Sequence, residues 1–195
     1  MDILKESANA FNKLINYQYN IVIGRKGKTY NIKLKFNPME YPHLIGLHKL
    51  RDTSLTRKDR AIIFNQIISE KITYKSIENS AYINHIKNRI EAFINIEKIL
   101  DSNDLIFKYS KKLNPMSQIE ANFLLCSNSD DKEVYLFIRE SSINEEYLCC
   151  SFFPKEQIDY TRGQTKFTLL YKEKVNLITN EKEVQYNKKL VKDNL

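Results

Sequence analysis

Apolar and polar residues alternate with two different periods along this chain. In residues 2–16, Ile3, Phe11, Leu14 and Ile15 recur at roughly helical spacing, which predicts a helix. The period then drops to two. Tyr19, Ile21 and Ile23 alternate with their neighbours, Gly24-Arg25-Lys26-Gly27 turns the chain, and Tyr30, Ile32, Leu34 and Phe36 alternate on the return. This is the pattern of a β-hairpin. Pro38 ends it, and Pro42 opens a short helix, because proline suits the first helical turn. Thr56 and Asp59 look like a capping pair for a helix near 57–70, and Thr73 starts a short helix through about Ser80. A long helix to Leu100 carries Ile83, Ile86, Ile90, Phe93 and Leu100 as its apolar stripe. Strand patterns return over 105–109, 119–126, 133–139, 147–153 and 165–173, with a turn at Asn128-Ser129-Asp130-Asp131.

These elements predict an α+β fold: an N-terminal hairpin and helices, followed by an antiparallel sheet of about four or five strands. Residues 1–175 would form a single domain. Residues 176–195 are polar and weakly patterned, and read as an edge hairpin or a polar tail. The 195-residue length suits one sizeable core. No apolar run approaches the ~18 residues of a membrane span, and the acid-bearing amphipathic start is unlike a signal or transit peptide. Cys126, Cys149 and Cys150 form no CxxC pair and are odd in number, which fits buried thiols in a reducing compartment. A cytoplasmic protein without membrane association is expected.

The net charge of +7 calls for a polyanionic partner. Lysine is abundant partly because Lys, Asn and Ile, all with AT-rich codons, fill 68 of 195 positions, so placement is more telling than the total. Residues 1–70 carry net +6 and residues 160–195 net +4, whereas 127–159 carry net −5. The charge is therefore polarised. Arg25, Lys26 and Lys28 stand at the hairpin turn, with no acid between Gly24 and Met39, as either a phosphate-contacting arm or a solvated tip. Gly27-Lys28-Thr29 is not a phosphate loop, because Val22 stands where the first glycine is needed and a strand follows. Asp101-Ser102-Asn103-Asp104 lacks the glycine and the closing glutamate of a calcium loop. No metal and no other cofactor is expected.

Two segments carry most of the chemistry. The first is His43-Leu44-Ile45-Gly46-Leu47-His48-Lys49. On a continuous helix, five residues leave two side chains ~140° apart, unlike the i, i+4 spacing of a zinc pair. One catalytic histidine, with the other packed or hydrogen-bonded, fits better, although a half-buried helix with two satisfied histidines has the same pattern. The second segment runs from Ser151-Phe152-Phe153 through Tyr160-Thr161-Arg162-Gly163-Gln164, placing phosphate- and base-binding residue types beside a strand end. Arg89 lies off the apolar stripe of its helix, where it faces solvent or turns into a cleft.

Tyr41 through Leu50, then Arg89, then Ser151-Phe152-Phe153 with Tyr160 and Gln164, resemble a phage-associated nuclease-like family, the fourth of those grouped with barnase, EndoU, colicin and RelE nucleases. The likeness spans about residues 17–172. It implies a barnase/RelE-like core and metal-independent cleavage of RNA, tRNA or mRNA, by a toxin-like protein of a phage or mobile element. In that chemistry His48 or His43 would be the acid or base, and Lys49 and Arg162 would stabilise charge. Ser151, Tyr160 and Gln164 would orient phosphate or base, and Arg25, Lys26, Lys28, Arg89 and Gln164 would contact the nucleic acid. An antitoxin or host protein is a further expected partner. The competing reading is a catalytically inactive nuclease-fold protein that binds and inhibits a host or defence nucleoprotein.

Overall fold

The computed structural model describes residues 2–102, 105–129, 132–143 and 145–188. Helix α1 (Ile3–Leu14) is capped by the Asp2 carboxylate, which accepts from the Lys5 amide. Strands β1 (Tyr17–Arg25) and β2 (Lys28–Lys35) form the expected hairpin. Its turn is Lys26-Gly27, both at positive φ (49° and 78°), the conformation whose twist suits a two-residue hairpin loop. Then come α2 (Tyr41–Leu44), α3 (Arg60–Ile68), α4 (Lys87–Phe93) and α5 (Ile96–Asp101), linked by short 3-10 turns. Asp59 caps α3 through the Ala61 and Ile62 amides. The long helix expected up to Leu100 is broken at Ile94 and Asn95.

Six more strands follow: β3 (Leu105–Lys108), β4 (Phe123–Ser129), β5 (Lys132–Glu140), β6 (Tyr147–Pro154), β7 (Thr165–Asn176) and β8 (Lys182–Asn187). They join the hairpin in the order β1-β2-β6-β5-β4-β3-β7, and β7 pairs back onto β1, so seven strands close into a barrel with β8 as an extra strand on β7. The pairings are antiparallel except β2 with β6, which is parallel and makes the barrel mixed. The expected layout of helices followed by a four- or five-stranded antiparallel sheet, barnase/RelE-like, is thus corrected. The N-terminal hairpin is no appendage to the helices. Its apolar Tyr19, Ile21, Ile23, Ile32 and Leu34 are buried as barrel wall, and its free edge is taken up by β7. The Asp101–Asp104 stretch and the Asn128–Asp131 turn lie partly outside the described residues, as does the end of the 176–195 segment.

Tyr30 of β2, Phe123 of β4 and Phe167 of β7 come from strands that are not neighbours, yet their rings lie 5.2–6.1 Å apart. Their meeting fixes which face of the sheet points inward. The helices bury their apolar sides into the same core: Phe11 of α1 touches Phe36, Tyr41, Phe64 and Phe93, and Phe93 packs edge-on against Phe152 of β6 at 4.9 Å. The outer face of β4–β6 carries a second cluster, with Leu124, Tyr135 and Phe137 beneath Phe153 and Tyr160.

The two long-range seams of the barrel differ. The β1–β7 seam runs from Tyr17–Asn176 to Gly24–Thr168. Beside it Lys174, 6% exposed, meets Glu97 at 2.8 Å and Asp101 at 3.1 Å, while Asp101 also accepts from Tyr19 at 2.5 Å and Gln185 at 2.7 Å. The β2–β6 seam consists of Leu34–Tyr147 and Lys35–Leu148. Beyond Leu148, β6 has no strand partner on that side among the described residues, and α2 and α4 pack against it instead. No helix among the described residues is long and apolar enough to cross a membrane.

Candidate active-site cleft

Where the β2–β6 seam opens, a cavity of about 660 Å³ lies between the helices and the outer face of β6. His43, His48, Lys49, Arg89, Ser151 and Tyr160, all singled out in the sequence, line it together.

The helical segment reaches the cavity through a break. α2 stops at Leu44, and Gly46 takes up φ 86°, a left-handed conformation that costs a residue with a side chain ~1–2 kcal/mol. A Cβ at this position would lie 2.9 Å from Ile86 Cγ2 and 3.4 Å from Arg89, so both conformation and space demand glycine. The reversal carries the 3-10 turn Leu47–Lys49 back across α2, and the imidazoles of His43 and His48 stack at 4.3 Å with 17° between their planes. The divergence expected for residues five apart holds only for an unbroken helix. Leu44 and Leu47 anchor the two pieces in the core.

The strand side is shaped by a bulge. Pairing of β5 with β6 shifts between Phe137–Ser151 and Ile138–Cys149, which leaves Cys150 unpaired as the extra residue. Strand residues normally alternate between faces, and the bulge lets Cys150 and Ser151 both reach the cavity, with Phe153 following. Cys149 and Phe152 stay in the inner core. Burial pushes the Cys150 thiol up to about 12, so it is a poor nucleophile.

Cations dominate the electrostatics. Arg89, 9% exposed, lies with its guanidinium 5.4 Å over the Phe153 ring, and its Nη1 donates a long 3.5 Å bond to the Leu44 carbonyl. Its Nε has no hydrogen-bond partner among the described residues, and neither does His43 Nδ1. Burial lowers the Arg89 pKa to about 10, against the opposing pull of Glu156. Lys49 is lowered by burial and by Arg89. Burial lowers His43 below its usual value, with Arg60, Arg89 and Arg139 adding to the effect. His48 falls to about 4, through burial first and then His43, Arg89, Lys49 and Arg60. His48 is the more exposed ring of the two, so solvent screens these charges more there than in a dry site. At neutral pH both imidazoles are uncharged, and an anion entering the cavity would draw protons back onto them.

The other candidates lie elsewhere. Gln164 is buried and uses both ends of its amide on Ser110, accepting from the peptide N–H at 2.8 Å and donating to the carbonyl at 3.2 Å. It pins the loop after β6 to the segment after β3. Arg162 is exposed on the turn that follows Tyr160, outside the cavity lining. Arg25, Lys26 and Lys28 are exposed at the hairpin turn, also outside the lining. The sequence reading missed Arg139 and the loops 116–120 and 156–158, which complete the lining. Arg139 had a signal, a lone cation closing the apolar run of β5, but the loops had no pattern to betray them. Among the described residues, no group of three or more His, Cys, Asp and Glu is placed to hold a metal ion.

A buried arginine with an unpartnered nitrogen beside two touching neutral imidazoles suits a protein that handles phosphate esters, and the comparison of sequences makes the class definite: it is nuclease-like. The chain belongs to the phage-Barnase-EndoU-ColicinE5/D-RelE like nuclease 4 family, whose profile matches residues 3–189. No curated protein and no solved structure matches the chain.

Proposed function

We propose that the cleft binds RNA, such as tRNA or mRNA, and cleaves it by attack of a ribose 2′-OH, without a metal ion. The observation that carries this reading is the stack of neutral His43 and His48 against Arg89 and Lys49 in one cavity. An imidazole of lowered pKa is free to accept a proton at neutral pH. His48, the more exposed ring, takes the 2′-OH proton as the oxygen attacks phosphorus. His43 stacks against it and fixes the plane of the ring.

An in-line displacement places attacking and leaving oxygens on opposite sides of phosphorus. Two rings in contact cannot straddle it, so the proton for the leaving 5′-oxygen comes from another group. Lys49, an ammonium of lowered pKa, fits that role. The P–O5′ bond breaks as Lys49 protonates the oxygen, which leaves a 2′,3′-cyclic phosphate and a 5′-hydroxyl. Arg89 and Arg139 stabilise the charge that develops on the non-bridging phosphate oxygens, and preorganised donors of this kind contribute strongly in a partly dry site. Ser151 and Tyr160 orient the phosphate. Arg162 and the Arg25-Lys26-Lys28 turn, outside the cavity, hold phosphates further along the strand.

The test is digestion of RNA with EDTA present, followed by analysis of the chain ends. The expected products carry 2′,3′-cyclic phosphate, and His48→Ala slows their formation roughly 10²–10⁴-fold. Products with 3′-hydroxyl ends, or activity lost on adding EDTA, would replace this mechanism with metal-dependent hydrolysis. An absence of cleavage, with tight binding to a protein, would favour an inactive inhibitor.

A further inference from the structure

We propose that Met116, Ile119 and Ile158 form a nucleobase subsite at the rim of the cleft, so that the protein engages unpaired, single-stranded RNA. The inference rests on the RNA reading above and specifies which part of the strand the cleft takes.

The lining has two chemical characters. One part is cationic and suits a phosphate. The other comes from the loops 116–120 and 156–158, where Met116, Ile119 and Ile158 stand among the amides of Gln118 and Gln157 and the carboxylates of Glu120 and Glu156. Met116 is 93% exposed and Ile158 54% exposed, and both line the cavity. Ile119 is half-buried against the aromatic cluster that includes Phe153 and Tyr160.

The platform is held in place. The Cys150 thiol donates to the Glu120 carbonyl at 3.6 Å, the Ile119 amide donates to Ser117 Oγ at 3.2 Å, and Gln164 ties the two loop regions together through Ser110. A nucleotide combines the two chemistries that the lining offers: an anion on one end and a flat apolar ring with polar edges on the other. The cavity, at about 660 Å³, holds far more than a phosphate needs. A base can reach such a rim only when it is unstacked and unpaired, as sequence-tolerant single-strand binders require. Gln118 and Gln157 can each donate to and accept from a base edge.

Binding of a 2′-fluoro RNA hexamer, which lacks the attacking hydroxyl, tests the subsite in EDTA. It is compared with the same backbone made fully abasic and with the hexamer annealed to its complement. The expected result is about tenfold weaker binding of both the abasic strand and the duplex. In Met116→Ser and Ile158→Ser, both at exposed positions that tolerate the change, the hexamer's affinity falls toward the abasic value while the abasic strand binds as before. Equal binding of abasic and normal strands would overturn the base subsite and leave the phosphate site standing. Binding of none of the three would overturn the RNA reading itself.

Discussion

The two long-range seams of the barrel use charge in opposite ways. At the β1–β7 seam the ladder is long and the buried charges are paired: burial opposes the Lys174 ammonium, but Glu97 and Asp101 outweigh it and hold its pKa above the ordinary value. Asp101 is held below its usual range despite burial, by Tyr19, Gln185 and Lys174. At the β2–β6 seam the ladder ends after Leu148, and the gap gathers Lys49, Arg89 and Arg139, of which only Arg89 is buried, with Glu120 and Glu156 in the same lining. Paired buried charge fixes how the barrel closes. A buried charge with an unpartnered nitrogen, as at Arg89, is costly to folding, and an anion entering the cleft would offset that cost.

The seams also answer pH differently. Asp101 contributes stability that is lost only as pH falls through its depressed folded value, and Lys174 loses its contribution only as pH rises through its elevated one. The cleft histidines resist protonation in the folded state. Between about 6.5 and 4 the unfolded chain therefore binds more protons at His48, and stability falls as pH drops through that window.

The largest way to break the contrast is at the closing seam. Lys174→Met leaves Asp101 and Glu97 without their buried cation, and a loss of about 3 kcal/mol in unfolding free energy is expected from denaturant titration. The activity of the molecules that remain folded should not change, since the seam plays no part in the chemistry. An equal loss of specific activity would show that the two seams are coupled.

Gly46→Ala sharpens it from the other side. Left-handed backbone and the approach to Ile86 should cost about 1–2 kcal/mol, and the shift of the turn should separate His48 from His43. Cleavage should therefore fall beyond what lost folding explains. Full activity in the folded fraction would mean that the stacked pair is incidental. The smallest effect is expected at the hairpin turn, where neutralising Arg25, Lys26 and Lys28 should reduce the salt slope of RNA binding by about 0.7–0.9 for each phosphate that the turn no longer neutralises. An unchanged slope would remove the turn from the RNA path.

Much of the local structure was legible in the residues. The hairpin, α1 and most strands follow from period and punctuation, while α3 starts later than the Thr56–Asp59 pair suggests, at Arg60 with Asp59 itself as the cap. Barrel closure was not, because β1 with β7 and β2 with β6 join residues more than a hundred positions apart through backbone edges that carry no sequence period. β7 is also disguised: lysine is almost never fully buried unless paired, yet Lys172 and Lys174 are both buried in this strand. In the site, residue types pointed to His43–Lys49, Ser151 and Tyr160. What brings them together was hidden in two irregularities, the left-handed Gly46 and the bulge at Cys150, each of which overrides the regular spacing from which side-chain directions are read.

The imidazole of His48 reports on the central claim most directly. Its Cε1–H resonance, assigned by its loss in His48→Ala, can be followed by NMR from pH 8 downward, with and without the 2′-fluoro hexamer. Cations held open for an anion predict a midpoint near 4 in the free protein, moving upward when the strand's phosphate enters. A midpoint near the ordinary ~6.5, unmoved by the hexamer, would contradict the account.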